Sequence, residues 1–255
     1  MYKAIVLDLD GTLTNDAKEV TPKVKAALMA AQERGVRVVL ASGRPTYGIQ
    51  KIADELEIGR HDGYVMAFNG GRVCRWSDKE VIFEQKLRPE YVPTLYDAAM
   101  AAGCEILTYQ GEGIATTETE NKYVRHEAFI NKMPLVRYDD FVNQVEHPIN
   151  KCLIVGDPKP LAKLEQHMKE TMRGEMDFYR SAAFFLECVP LGIDKAASLD
   201  MLLSQLGIRR EETIAVGDGY NDLSMIRYAG LGVAMANAAR EVQDAADYIT
   251  YSNQE

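Results

Sequence analysis

Ala4-Ile5-Val6-Leu7-Asp8-Leu9-Asp10-Gly11-Thr12-Leu13 decides the reading of this chain. An unbroken apolar run that stops abruptly at an aspartate is the pattern of a strand buried on both faces, as in a parallel sheet. In open α/β sheets ligands gather beyond the carboxyl ends of the strands, and Asp8 stands at such an end. Leu9 points away, and Asp10 returns near the same side as the chain leaves the strand. Two carboxylates this close both ionise only if a cation shares their charge. Gly11 lets the chain turn sharply, and the Thr12 hydroxyl can donate a hydrogen bond. One carboxylate of such a pair can attack phosphorus and form an aspartyl phosphate. The other can protonate the leaving alkoxide and then activate water. Taken alone, D-x-D-G reads equally well as a turn with helix-capping aspartates.

Outward from this stretch the pattern repeats. Thr21-Pro22 reads as an N-cap followed by proline at the first helical position, and Gly35 closes that helix. Residues 36–41 form a second apolar strand that runs into Ser42-Gly43-Arg44-Pro45. A helix over 47–57 and a strand over 64–68 follow, the latter ending in Asn69-Gly70-Gly71. At the far end, residues 195–206 read as a helix stopped by Gly207, 213–217 as a strand, 221–228 as a helix and 231–235 as a strand. Alternating strands and helices predict a doubly wound α/β fold with a parallel sheet. Chain ends of one domain often lie close together. The two ends therefore form one domain, residues 1–82 and 187–255, with an α+β domain, residues 83–186, inserted between them. Within the insert, strands are expected near 105–109, 113–116 and 152–155, a helix from Asp157-Pro158 to about 172, and extended chain at 178–179 and 184–186.

Three further strand-end motifs accompany the first. Gly217-Asp218-Gly219-Tyr220-Asn221-Asp222 supplies two more carboxylates and an amide; Asp218 would complete an oxygen-ligand site for a hard cation, with magnesium the best match. Asp222 could equally be a helix cap. Ser42-Gly43-Arg44 offers a hydroxyl and backbone N–H at a helix start, an anion cradle or an ordinary turn. Lys195 opens its helix against the dipole. That is tolerable for a mobile surface lysine, but useful if its ammonium balances a phosphate and restrains the nucleophile.

The order D-x-D-G-T-L, S-G-R, Lys195 and G-D-x-x-N-D resembles the haloacid dehalogenase-like phosphatases, specifically the Cof-type group with the α/β (class IIB) cap, over nearly the whole chain. The resemblance implies a Rossmann-like core with an inserted cap. It makes Asp8 nucleophile and metal ligand, Asp10 general acid/base with its backbone carbonyl on the metal, Asp218 the third ligand and Asp222 its support. Leu9, Ser42, Gly43, Lys195 and Asn221 would hold the phosphoryl oxygens, and Thr12, Arg44 and Asn69 could face substrate. The cofactor implied is Mg2+, and the partner a small phosphorylated metabolite. Two departures stand out. Ala196 follows Lys195 where glycine is frequent, and the sequence ends at Gln254-Glu255 where many relatives continue, so a tail is either absent or cut short.

The chain has 255 residues, 47% hydrophobic and 26% charged, within the range of globular proteins. A formal net charge of -9 argues against sequence-independent nucleic-acid binding. Cys74, Cys104, Cys152 and Cys188 form no C-x-x-C or zinc-like spacing, which suits reduced thiols in a cytoplasmic protein. No run reaches membrane-spanning length, so no membrane partner is expected. A phosphomutase would use the same chemistry. A signalling receiver, also phosphorylated on aspartate, would not need a hundred-residue insert, and a catalytically dead scaffold would be expected to have lost a motif carboxylate. Tyr109, Tyr123 and Tyr179 in the insert could stack on a substrate ring, or simply pack.

Overall fold

The computed structural model describes residues 1–145 and 147–255. Their order in the first stretch is β1 (Ala4–Leu7), α1 (Pro22–Glu33), β2 (Arg37–Ala41), α2 (Thr46–Glu55), β3 (Tyr64–Ala67), β4 (Arg72–Arg75) and β5 (Val81–Glu84). There follow α3 (Val92–Ala101), β6 (Glu105–Gln110), β7 (Gly113–Thr116), α4 (Lys122–Asn131), β8 (Leu135–Arg137), α5 (Phe141–Gln144), β9 (Cys152–Val155), α6 (Pro158–Thr171), β10 (Met176–Ala182) and β11 (Phe185–Pro190). The chain closes with α7 (Lys195–Leu206), β12 (Thr213–Gly217), α8 (Leu223–Tyr228), β13 (Leu231–Ala234), α9 (Arg240–Gln243) and β14 (Tyr248–Ile249).

Two units result: Met1–Glu84 with Asp194–Glu255, and Gln85–Ile193. The first carries an eight-stranded sheet, ordered β14-β13-β12-β1-β2-β3-β4-β5. It is parallel from β14 to β3 and antiparallel over β3-β4-β5. After β3 the strand order reverses, and β12 pairs on the far side of β1. The β1/β12 boundary is therefore the switch point at which α/β sheets bind ligands. Leu7 lies opposite both Val216 and Leu40, so three strands end level with one another. Beneath them Ala4, Val6, Val39, Met66 and Ala215 pack with Leu199, Leu202 and Leu203 of α7 and Met225 of α8. Local signals set the helix ends. Thr21 Oγ1 accepts from Val24 N, Asp194 Oδ1 from Ala196 N, and Gly207 ends α7 at φ +63°.

The second unit holds a six-stranded sheet, ordered β10-β11-β9-β6-β7-β8, antiparallel except for β7-β8. Ile106, Ile154, Leu186 and Cys188 pack against Val92, Leu95 and Ala99 of α3 and Leu161, Leu164 and Met168 of α6. No described helix is long and apolar enough to cross a membrane.

The sequence reading ends the first segment at 82 and resumes it at 187; the structure divides at 84/85 and 193/194. Phe83 pairs with Val73 in the first sheet, and Glu187 and Cys188 pair with β9 in the second. At the first joint the pairing is a short hairpin whose strands are too brief to read, and at the second the partners lie more than thirty residues away, so no local pattern marks either joint. The helix expected from 221 begins instead as a 3-10 turn, Tyr220–Asp222, before α8. The β4-β5 hairpin and the α4-β8-α5 excursion had no expectation. Their strands are three or four residues long and carry charges at or near their ends, which is too short for periodicity to register.

Candidate active site

The four motifs meet at the switch point of the first unit. The Asp8 backbone N–H donates to Val216 O at 3.0 Å, tying the end of β1 to β12. Lys195 Nζ donates to Asp8 Oδ1 at 2.7 Å, Asp222 Oδ1 at 2.6 Å and Ala41 O at 3.0 Å. With its side chain 0% exposed, Lys195 is no surface lysine. Asp222 Oδ2 accepts from the backbone N–H of Asp218 and Gly219, so the residue that could have been a plain cap both ties its own loop and anchors Lys195. Carboxylate oxygens of Asp8, Asp218 and Asp222 lie within 4.8 Å of one another. Three carboxylates around one ammonium leave two negative charges in excess when all are ionised.

The local electrostatics follow. Burial, and then the nearby Asp222, push the Asp8 carboxyl well above its ordinary value, although Lys195 opposes them. Burial raises Asp218 to about 6 despite the hydrogen bond from Thr12, with repulsion from Asp222 adding to the rise. Burial alone would lower Lys195, yet Asp222 and Asp8 hold its ammonium above the usual range. The site therefore favours an added cation. Among the three acids, Asp222 is already committed to two backbone N–H groups and Lys195, which leaves Asp8 and Asp218 as the side chains able to hold a hard ion.

Asp10 does not join that group through its carboxylate. Arg44 grips it at both oxygens, Nε on Oδ2 and Nη2 on Oδ1, each at 2.6 Å, and Lys18 Nζ adds a bond to Oδ1 at 2.7 Å. Burial works against the charged form, but Arg44 and Lys18 together hold the Asp10 carboxyl below its ordinary value. Gly11 has φ +85°, and a Cβ there would come within 2.3 Å of Asp218 Oδ2. Glycine is thus required both for the turn and for the close approach of the loop to Asp218. Thr12 Oγ1 donates to Asp218 Oδ1 at 2.6 Å, so the hydroxyl expected to face substrate steadies a carboxylate instead.

The S-G-R turn is equally well tied. Ser42 N donates to Met66 O, and Ser42 Oγ accepts from Arg44 N at 3.2 Å. A Cβ on Gly43 would lie 3.3 Å from the Asn69 amide. Asn69 has φ +56°, donates its N–H to Ser42 O, and accepts from Asn221 Nδ2 at 3.0 Å. Asn69 and Asn221 thus bridge the turns after β3 and β12. The Leu9 side chain is buried, and its carbonyl accepts from Thr14 N and Thr14 Oγ1. Arg44, also read as facing substrate, is 7% exposed and spent on Asp10 and Gly48 O. Contacts to this loop absent from the sequence reading include Lys18, Asn237, whose Nδ2 donates to Gly11 O at 2.8 Å, and Asn253, whose Nδ2 donates to Thr14 O at 2.9 Å. A lysine in a polar turn and an asparagine after a strand carry no signal of their own.

A family model for haloacid dehalogenase-like hydrolases matches residues 5–255. The chain belongs to that family. A haloacid dehalogenase-like hydrolase from Bacteroides thetaiotaomicron superposes with a TM-score of 0.96 at 49% identity, over 100% of this chain and 96% of that one. YxeH of Bacillus subtilis strain 168, provisionally named a phosphatase, is 35% identical over 100% of this chain and 95% of its own length. The 5-amino-6-(5-phospho-D-ribitylamino)uracil phosphatase YcsE of the same strain is 28% identical over 98% of this chain and 90% of its own. The enzyme is thus a member of a hydrolase family in which several named relatives are phosphatases.

Proposed function

We propose that this hydrolase removes phosphate from a small phosphate monoester through an aspartyl phosphate on Asp8, with magnesium as its cation. The observation that carries the reading is the Lys195 ammonium bridging Asp8 and Asp222 at 2.7 and 2.6 Å beside Asp218. The donor set fits the ion: the acids are hard oxygen ligands, they hold two negative charges in excess, and burial raises Asp8 and Asp218 when nothing compensates them. Asp8, Asp218 and the Asp10 backbone carbonyl would hold it. When bound, the ion supplies charge neutralisation at the transferring phosphoryl group.

The chain's own residues do the rest. Lys195 fixes the Asp8 carboxylate by its Oδ1 and adds positive charge where phosphoryl oxygens arrive. Ser42, the Gly43 and Leu9 backbone N–H groups and the Asn221 amide hold those oxygens in line with Asp8. Asp10 gives a proton to the leaving alkoxide, then takes one from the water that opens the acyl phosphate. Its grip by Arg44 and Lys18 must loosen for the first of these steps. Residues 85–193 serve as the cap that reads the leaving group. Relatives named for a phosphorylated ribitylaminouracil and for HMP-PP support a small phosphorylated metabolite as substrate. Four free, buried cysteines support a reducing, cytoplasmic setting.

Asp8→Asn tests the reading. The amide is nearly isosteric but a poor nucleophile, so turnover should fall by about a thousand-fold or more. Thermal unfolding should show the fold retained. Near-normal turnover in a folded Asp8→Asn enzyme would end the aspartyl-phosphate reading.

A further inference from the structure

The turn after β3 touches three of the four motifs. Phe68 N donates to Arg44 O at 3.0 Å and Asn69 N to Ser42 O at 2.9 Å, which ties the turn to S-G-R. Gly70 O accepts from Ser198 Oγ at 2.9 Å, one turn along α7 from Lys195. Asn69 Oδ1 accepts from Asn221 Nδ2 at 3.0 Å, across 152 positions. Asn69 is 6% exposed, and a Cβ on Gly43 would lie 3.3 Å from both its Oδ1 and its Nδ2. Packing and backbone bonds together hold the Asn69 amide in one place.

Asn221 is built differently. It is exposed, in the 3-10 turn Tyr220–Asp222, so burial does not choose its rotamer. Two contacts do. Its Nδ2 lies on Asn69 Oδ1, and its Oδ1 lies so close to Gly219 that a Cβ there would meet it at 2.4 Å. Gly219 has φ -92°, open to any residue, so glycine serves here for space and not for conformation. The two ends of an amide are alike in shape, but one donates and the other accepts. In the observed orientation one N–H is spent on Asn69 and the second is left for a phosphoryl oxygen. Turned over, the carbonyl oxygen would face Asn69 Oδ1 and repel an anion beside it.

We infer that Asn69 is a positioning residue for phosphoryl transfer: it fixes the Asn221 amide so that the anion meets N–H and not C=O. Gly219 completes the setting by leaving room for the Asn221 carbonyl. The inference rests on the place given above to Asn221 among the groups that hold the phosphoryl oxygens. It adds what keeps that exposed amide the right way round.

The test is a double-mutant cycle on kcat/KM for p-nitrophenyl phosphate, with thermal unfolding of each variant. Asn69→Gly suits the φ of +56° and deletes the acceptor. It should lower kcat/KM by about ten-fold, the scale of one hydrogen bond to a charged group. Asn221→Ala should lower it at least as far, and adding Asn69→Gly to it should then cost less than about two-fold more. The Ki of inorganic phosphate, which presents the same oxygens, should rise in Asn69→Gly as kcat/KM falls. Near-normal kcat/KM in a folded Asn69→Gly enzyme would overturn the inference. So would losses that multiply in the double variant, or a Ki that stays put, because Asn69 would then act through general structure. If Asn69→Gly does not fold, Gly219→Ala decides, since it crowds the same amide from its other side. It should show a similar loss that Asn221→Ala absorbs, and a loss that multiplies would count against the inference. The readings fail separately. If Asp8→Asn still turns over substrate, the mechanism falls. If Asn221→Ala matches wild type, the place of Asn221 falls and that of Asn69 with it. If Asn221→Ala is impaired and Asn69→Gly is not, only the role of Asn69 falls.

Discussion

Lys195 in the first unit and Lys151 in the second are both buried beside carboxylates, yet their surroundings are built differently. Lys151 Nζ meets Glu187 Oε2 at 2.8 Å, and the other oxygen of Glu187 accepts from Ser181 Oγ at 2.7 Å. The nearby Glu127 accepts from the Tyr109 hydroxyl and from Asn131 Nδ2, and burial raises its carboxyl above the ordinary value, although Lys151 opposes the shift. Hydroxyl and amide donors from β6, β10 and α4 thus meet the charge that Lys151 leaves over. Tyr109, read as a candidate ring-stacking group, is one of those donors. Tyr123, another, stacks on Phe184 at 5.3 Å and donates to Asp157. Around Lys195, by contrast, three carboxylates gather at strand ends, and two negative charges remain in excess. A buried network that serves the fold is closed by the protein's own donors; one that serves chemistry leaves charge for what arrives.

Removing the two lysines should separate these roles most sharply. Lys195→Met should lower turnover of every phosphate ester by about a thousand-fold or more. It should also cost about 3–5 kcal/mol of stability, because it strands buried carboxylates. Lys151→Met should carry a comparable stability cost in urea unfolding but leave kcat for p-nitrophenyl phosphate within about three-fold. If a folded Lys151→Met enzyme lost turnover as deeply as Lys195→Met, the contrast would be broken.

The pH dependence of stability sharpens the comparison at a smaller scale. Asp218 has a folded-state value of about 6, above the roughly 3.9 of an unfolded aspartate. Between those values the native state binds more protons, so stability falls as pH rises through this window. Glu127 contributes in the same direction from the second unit. Excess magnesium should flatten the part that belongs to Asp218 and leave that of Glu127. The measurement is urea unfolding from about pH 4 to 7 with magnesium or chelator. Asp218→Asn should abolish the difference between the two conditions. A magnesium effect that survives Asp218→Asn would place the ion elsewhere.

The smallest expected effect concerns Thr12. Thr12→Val deletes the 2.6 Å bond to Asp218 Oδ1. It should raise the magnesium concentration for half-maximal activity by up to about ten-fold while kcat changes by about three-fold or less. Ser181→Ala, which deletes the corresponding hydroxyl on Glu187, should leave the magnesium requirement unchanged. Equal shifts in the two variants would mean that both act through general stability.

Much of the first unit was legible because its signals are local. Ala4–Leu7 and Thr213–Gly217 are short apolar runs that end at chemistry, and α7 is bounded by Asp194 and Gly207 as its sequence requires. The second unit was less legible. Leu135–Arg137 and Phe141–Gln144 are too short to show a period, and the strand among them pairs with Ile114–Thr116, some twenty residues earlier. Within the site, Asp8 and Asp218 declare themselves by position at strand ends, whereas Lys18 looks like any solvated lysine.

By itself the sequence determined the alternation of strands and helices, the motif at each strand end and the types of group available for phosphoryl chemistry. These depend on periodicity, caps and turns, which act over a few residues. Only the tertiary structure decided which groups touch. Lys195 reaches Asp8 across 187 positions and Asp222 across 27, and Arg44 reaches Asp10 across 34. Those contacts exist because β1 lies between β12 and β2 with their ends level. Strand order is a property of long-range packing, and no stretch of neighbouring residues encodes it.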